Sequence, residues 1–105
     1  HDPLQPPGLF LERVQQRQPG IDPTRAKLVA LIEHMDNAVG RVLAALRANG
    51  QLTNTLVIFT SDNGGWGPGK ASNGPYRGVK GQLYEGGIRI PAGAMWAGRI
   101  RPGQV

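Results

Sequence analysis

Apolar positions follow a helical rhythm through the second quarter of the chain. They recur in steps of three and four at Leu28, Leu31, Ile32, Met35, Val39, Val42, Leu43 and Leu46. This spacing places them along one face of an α-helix. Asp22-Pro23 supplies an N-cap and a proline at the first helical position, and Asn49-Gly50 is typical of a helix end. The pattern predicts a helix from about Pro23 to Ala48. With its C-terminal cap, Asn49-Gly50, the helical segment covers residues 23–50.

A continuous apolar run, Leu56–Thr60, follows the predicted helix after a short polar link. Uninterrupted β-branched and apolar residues are typical of a strand buried on both faces, as in a parallel sheet. A helix followed by such a strand is half of a βαβ unit, so the fold class is predicted to be α/β. Ile88–Ile90 is a second candidate strand. Residues 92–105 are predicted to be a weak strand or loop, because Gly93 interrupts their apolar run.

Prolines and glycines divide the remaining chain into loops. Four prolines (Pro3, Pro6, Pro7 and Pro19) predict a loop over residues 1–22, with a short helical turn around Leu9–Gln16. Twelve of the 16 glycines lie beyond residue 63. Residues 61–91 are therefore predicted to be glycine-rich loops with accessible backbone amides.

Composition excludes several kinds of site. The 105-residue chain has no cysteine, which excludes disulfides, thiolate zinc sites and a cysteine nucleophile within it. No apolar run approaches the roughly 18 residues that a membrane span needs. The formal net charge is +5, and most of the excess lies beyond residue 61.

The predicted strand runs directly into Ser61-Asp62-Asn63-Gly64-Gly65. Ligands of α/β proteins bind beyond the carboxyl ends of strands. The Asp62 carboxylate and the Asn63 amide oxygen are hard ligands that suit Ca²⁺ or Mg²⁺. The alternative is a plain turn, because this composition is also excellent turn composition.

A second candidate is Lys80, which lies in a glycine-flanked loop with Arg77 nearby. A cation among accessible amides can hold an oxyanion such as sulfate or phosphate. Arg89 is expected to pair with Glu85. The alternative is a solvated basic loop.

The two histidines are weaker candidates. His1 is a possible proton donor near neutral pH. The alternative is an exposed terminal histidine without a function. His34 is interpreted as a surface residue.

Two of these segments together resemble the type I sulfatases. Leu56–Gly65 resembles a metal-site segment of that family, and Lys80–Pro91 resembles its Lys-Gly-x-x-Tyr-Glu-Gly-Gly-x-Arg-x-Pro segment. The helix carrying Met35-Asp36 and Val39-Gly40-Arg41 resembles the family's helix before that strand. His1-Asp-Pro-Leu-Gln-Pro is similar to its His-x-Pro-Leu stretch. The resemblance covers nearly the whole chain.

The resemblance implies an alkaline-phosphatase-like α/β fold and a hydrolase that cleaves sulfate esters to alcohol and sulfate. Asp62 and Asn63 would then be ligands of Ca²⁺ or Mg²⁺. Lys80 would contact the sulfate, and His1 would hydrogen-bond the ester and help to protonate the leaving alcohol. The substrate would be a small sulfate ester or a sulfated sugar, and the family's habit is to be exported, periplasmic or lysosomal.

The chain also departs from the family pattern. The formylglycine nucleophile of these enzymes arises in a Cys/Ser-x-Pro-x-Arg segment, and neither that segment nor the family's early pair of metal-binding aspartates occurs here. Ala97 stands where proline is usual. We therefore expect a middle-to-late part of a sulfatase catalytic domain that needs the rest of its chain, and no turnover by these 105 residues alone.

Three other functions stay open at this point. A phosphonate or phosphate monoester hydrolase of the same superfamily would use the same residues. A small basic module binding nucleic acid or an acidic polysaccharide would explain the charge, but no nucleic-acid-binding motif appears, so we expect no nucleic-acid partner. A non-catalytic remnant would expose its apolar strand edge and helix face.

Overall fold

The computed structural model describes residues 3–104, which form three helices and two strands. In chain order these are α1 (Gly8–Arg17), α2 (Pro23–Ala48), β1 (Val57–Thr60), α3 (Glu85–Ile88) and β2 (Ala92–Met95). Short 3₁₀ turns lie at Leu52–Asn54 and Gly67–Gly69. Within residues 3–104, no helix combines the length and the apolar character needed to cross a membrane.

Helix α2 has the predicted bounds, and its caps are those expected from the sequence. The Asp22 carboxylate accepts a hydrogen bond from the Arg25 amide at 2.9 Å, and Pro23 occupies the first turn. At the other end the Asn49 side chain donates to the Ala45 carbonyl at 3.0 Å. Gly50 follows with φ of +66°, a conformation that favours glycine. The helix prediction is confirmed.

The helical turn predicted around Leu9–Gln16 is present and is longer than expected: α1 is a ten-residue helix within the predicted loop over residues 1–22. Pro3, Pro6 and Pro7 precede its first turn, where a missing amide costs nothing, and Pro19 lies beyond its last residue. Val14 of α1 packs against Ala26 and Ala30 of α2, and all three are fully buried. Small residues on α2 allow the helices to approach closely, and burial of this face stabilises α1. Partly buried apolar side chains surround the cluster: Phe10, Leu11, Ile21 and Val29.

Strand β1 forms where predicted, but the parallel pairing expected for it is not present among the described residues. It pairs antiparallel with β2, from Val57 opposite Met95 to Thr60 opposite Ala92. The direction follows from the chain path, because the Ser61 amide donates to the Pro91 carbonyl at 3.2 Å. The chain thus returns at the end of β1 and must run backwards along it. Ile58 of this two-stranded sheet is 66% exposed.

The predicted strand at Ile88–Ile90 is also wrong, because Ile88 closes α3. The amides of Ile88 and Arg89 donate to the carbonyls of Tyr84 and Glu85, which completes a helical turn. The strand expected within residues 92–105 is present as β2 despite Gly93. Residues 61–91 are therefore loops interrupted by one 3₁₀ turn and by α3.

Candidate active site

The candidate site begins at the carboxyl end of β1, where the chain turns sharply. The Ser61 hydroxyl donates to the Asn63 carbonyl at 2.8 Å and closes the turn. Ser61 is also tied to Pro91 through its amide, so the turn is anchored to the start of β2. This arrangement leaves the Asp62 side chain exposed and half-buries Asn63.

Main-chain contacts hold together the loops that follow the β1 turn in the chain. The Gly64 amide donates to the Gly87 carbonyl at 2.9 Å, and the Gly86 amide donates to the Arg77 carbonyl at 2.7 Å. A Cβ atom at Gly64 would lie 2.8 Å from the Gly86 carbonyl carbon and 2.9 Å from the Gly87 Cα. Gly64, Gly86 and Gly87 are therefore glycines because backbone passes against backbone here, with no room for a side chain.

The backbone of Lys80 is held by the same frame of main-chain hydrogen bonds. Its amide donates to the Gly65 carbonyl at 3.0 Å, and the next residue, Gly81, has φ of +89°. The Gln82 amide closes the turn on the Val79 carbonyl at 3.0 Å. The Lys80 side chain is exposed. No described residue accepts a hydrogen bond from its ammonium group, which leaves that group able to bind an anion.

Asn63 and Lys80 line one cavity of about 360 Å³, although 17 residues separate them in the chain. Arg25 of α2 and Arg89, which follows α3, line it as well. The other lining residues are Leu28, Ile32, Ser61, Gly64, Gly65, Trp66, Ala71, Ser72, Asn73 and Pro91. Three cations and no carboxylate among the described lining residues make the cavity suited to an anionic ligand.

The predicted site residues are thus only partly brought together. Asp62 follows the same strand but does not line the cavity. His1 lies outside the described residues. Residues 3–104 contain no group of three or more His, Cys, Asp or Glu side chains arranged to hold a metal ion. The oxygens of Asp62 and Asn63 fit Ca²⁺ or Mg²⁺ in kind, but Ca²⁺ takes about six to eight oxygen ligands. Two side chains alone are too few to complete such a shell.

The expected pair between Glu85 and Arg89 is present at 3.4 Å, with both side chains about 60% exposed. Solvent screens such a pair, so its contribution to stability is small. Arg89 also lies over the Tyr76 ring at 4.7 Å, and Arg77 lies over the Tyr84 ring at 4.0 Å. These contacts join Glu85, Arg89 and Tyr84 to neighbouring residues of the loops.

Two residues at the cavity were not singled out from the sequence. Arg25 donates to the Lys70 carbonyl at 2.8 Å and ties α2 to the loops. Asn73 accepts from the Gly65 amide at 2.7 Å and donates to the Gly78 carbonyl at 2.9 Å. The only local signal for Asn73 is its place before Gly74-Pro75, which is turn composition and does not reveal distant partners.

Comparison with known proteins identifies the family. The profile of the family described as Sulfatase matches residues 1–105. The chain belongs to the sulfatase family. This sulfatase chain is 42% identical over 109 aligned residues to a sulfatase of Formosa agariphila, covering 94% of the chain and 20% of the relative. It is 49% identical over 81 residues to the steryl-sulfatase of Rattus norvegicus, covering 70% of the chain and 14% of the relative.

Solved structures show the same relationship in three dimensions. The sulfatase chain matches Ps i-CgsB with a TM-score of 0.85 and 34% identity, over 95% of the chain and 22% of that structure. The complex of Ps i-CgsB with k-i-k-neocarrahexaose matches with a TM-score of 0.81, 34% identity and coverage of 93% and 21%. The PsFucS1 sulfatase from Pseudoalteromonas sp. matches with a TM-score of 0.66 and 41% identity, over 88% and 18%.

These matches establish a mixed helix and strand fold of the sulfatase type, as expected from the resemblance. The chain spans about a fifth of the length of the first of these relatives and of the structures that it matches.

Proposed function

We propose that this sulfatase chain forms part of the catalytic domain of an enzyme that hydrolyses sulfate esters to alcohol and sulfate. The observation that carries the proposal is the shared cavity, which is lined by both Asn63, at the end of β1, and Lys80. Family membership supplies the reaction class. The cationic lining supplies a reason why an anionic ester would bind at this place.

Lys80 is proposed to contact the sulfate group. A sulfate ester spreads negative charge over its non-bridging oxygens, and more charge reaches the bridging oxygen as the alcohol departs. A fixed cation stabilises that charge most when its position is set before the reaction. The hydrogen bond from the Lys80 amide to Gly65 and the turn at Gly81 fix the backbone from which the Lys80 side chain extends.

Asp62 and Asn63 are proposed to hold Ca²⁺ or Mg²⁺ together with ligands from other parts of the protein. When bound, the ion supplies Lewis-acid stabilisation of a sulfate oxygen. The contribution of this chain is to present the two oxygen-bearing side chains on a turn held by Ser61. The Asp62 carboxylate is exposed to solvent, so further ligands can reach it.

The remaining chemical groups are proposals from the family resemblance. His1 would donate a hydrogen bond to the ester and a proton to the leaving alcohol. The formylglycine of the family supplies a nucleophilic hydroxyl in its hydrated form. Its Cys/Ser-x-Pro-x-Arg segment does not occur in these 105 residues, so we propose that the nucleophile comes from another part of the protein.

A sulfated sugar is the substrate class that we favour. One of the similar structures holds an oligosaccharide, k-i-k-neocarrahexaose. The cavity of this chain also carries Arg25 and Arg89 beside Lys80, and such guanidinium groups suit anionic substituents of a sugar.

The test is an assay of the full-length protein that contains this sequence, with matched p-nitrophenyl sulfate and p-nitrophenyl phosphate. We expect the sulfate ester to be the better substrate. Lys80→Ala should lower kcat/KM by about 100-fold, because a preorganised charge contact is lost. Lys27→Ala is the control, since this exposed lysine of α2 does not line the cavity. Preference for the phosphate ester, or equal effects of both variants, would contradict the proposal.

A second arm measures metal binding without turnover. Calorimetric titration with Ca²⁺ should show weaker binding for Asp62→Asn than for the wild type. Asp36→Asn is the control, because Asp36 is an exposed carboxylate on α2 that does not line the cavity with Asn63 and Lys80. Equal Ca²⁺ affinity in Asp62→Asn and the wild type would remove Asp62 from the metal site.

A further inference from the structure

Asn73 connects the two loops that carry the candidate site residues. Its side-chain oxygen accepts from the Gly65 amide at 2.7 Å, and its side-chain nitrogen donates to the Gly78 carbonyl at 2.9 Å. Gly65 lies two residues after Asn63, and Gly78 lies two residues before Lys80. One half-buried amide group therefore spans from the turn after β1 to the Lys80 loop.

The peptide groups of Gly65 are held from both sides by this arrangement. Its amide is bound by Asn73, and its carbonyl accepts from the Lys80 amide at 3.0 Å. Gly65, Lys80, Gly78 and Asn73 therefore form a closed circuit of hydrogen bonds, joined along the chain through Val79. A shift of any one segment must break or stretch a bond in this circuit.

The atoms around Gly65 are packed too closely to admit a side chain. A Cβ atom at Gly65 would lie 2.7 Å from the Asn73 Oδ1 and 2.7 Å from the Ala71 Cβ. Gly65 therefore has to be a glycine for Asn73 to reach its amide. Asn73 itself lines the cavity beside Lys80 and Asn63, so its displacement changes the wall on which an anion would bind.

We propose that Asn73 is a positioning residue of this enzyme, which acts through Lys80 by fixing the Lys80 loop against the turn after β1. The proposal rests on the proposed sulfatase function, in which Lys80 contacts the sulfate. Asparagine suits the position because one side-chain amide offers both an acceptor for Gly65 and a donor for Gly78. Aspartate has nearly the same shape but, when ionised, offers only acceptors, so its second oxygen would face the Gly78 carbonyl without a hydrogen.

The test is a double-mutant cycle in the full-length protein, with variants Asn73→Ala, Lys80→Ala and the pair. The readouts are kcat and KM for p-nitrophenyl sulfate and the calorimetric Kd of inorganic sulfate, the product. Asn73→Ala should lower kcat/KM by about 100-fold, as expected when a reacting group is misplaced by about 1 Å. In the Lys80→Ala background the same change should have less than a threefold effect, because the group on which it acts is gone.

Two further variants separate positioning from general stability. Asn73→Asp should lose nearly as much activity as Asn73→Ala, since it keeps the shape of the side chain but loses the donor to Gly78. Asn49→Ala removes another asparagine hydrogen bond, the one to Ala45 at the end of α2, and should leave kcat/KM within twofold of wild type. Effects of Asn73 and Lys80 that multiply independently, or full activity of Asn73→Asp, would overturn the proposal.

The sulfate titration distinguishes this proposal from the proposed function. A protein that binds sulfate but turns over no sulfate ester refutes the proposed function, and the coupling of Asn73 to Lys80 is then read from Kd. A protein that does not bind sulfate at all refutes both.

Discussion

Substitution of Gly64 by alanine tests the backbone packing that joins the loops of the site. The φ angle of Gly64 lies outside the positive range in which glycine is favoured, so alanine can adopt the backbone conformation itself. The added methyl group would nevertheless meet three main-chain atoms, those of Gly86 and the Gly87 Cα, all closer than 3 Å. Main-chain atoms cannot rotate away as a side chain can, so the two loops must separate.

The expected cost follows from two terms. Overpacking of a rigid site costs about 1–3 kcal/mol. Separation also weakens the hydrogen bond from the Gly64 amide to Gly87, which is worth about 1 kcal/mol. We therefore expect Gly64→Ala to lower the free energy of unfolding by about 2–4 kcal/mol.

The assay is urea unfolding of the full-length protein, followed by tryptophan fluorescence, since Trp66 lies two residues from the substitution. The matched control is Gly40→Ala in α2, where an added Cβ meets no atom within 4 Å. That change should stabilise the helix by about 0.5–1 kcal/mol. If Gly64→Ala unfolds within 0.5 kcal/mol of the wild type, about the scatter of neutral surface changes, the steric reasoning fails.

Two further substitutions test the helices by the same unfolding measurement. Val14→Ala should destabilise the protein by about 2 kcal/mol, because it empties part of the fully buried contact between α1 and α2. Val42→Ala, at a position 61% exposed on α2, is its control and should stay close to wild type. Asp22→Ala should cost about 1 kcal/mol by removing the cap on the Arg25 amide; an unchanged urea midpoint would show that the cap contributes nothing.

Local signals in the sequence predict α2 because nothing distant is needed to form it. Its apolar face, Asp22-Pro23 at the start and Asn49-Gly50 at the end all act within a few residues. The start of β1 is also visible, since Leu56–Thr60 is apolar and β-branched. The pairing of β1 is not visible, because it depends on how the chain returns past Pro91, more than 30 residues later.

The sequence predicts α1 only as a short helical turn around Leu9–Gln16 and does not predict α3. Helix α1 is obscured by prolines that precede it, and it is stabilised by burial of Val14 against α2, a tertiary contact. Helix α3 contains Gly86 and Gly87, which have low helix propensity. It forms because these glycines pack where Cβ atoms would strike the backbone of other loops. In both cases long-range packing overrides local preference.

In the candidate site, too, some features are visible in the local sequence and others depend on the fold. Lys80 and Asn63 are recognised from the residue types around them, but their common cavity is a property of the fold. Asp62 has a chemically suitable side chain, yet it does not face that cavity. Asn73 could not be identified in advance, because its two partners lie eight residues before it and five residues after it and are both backbone groups.

The frame around Lys80 consists of hydrogen bonds among peptide groups and the side-chain amides of Asn73 and Gln82, none of which gains or loses a proton under ordinary assay conditions. Dissolved salt screens charges over distance but weakens such short neutral bonds far less. A change of pH or ionic strength should therefore leave the backbone positions of Gly65, Asn73 and Lys80 unchanged. The pH and salt profiles of the proposed sulfatase activity should consequently report on the reacting groups and the ligand. The frame should not contribute to these profiles, because it contains no charged group.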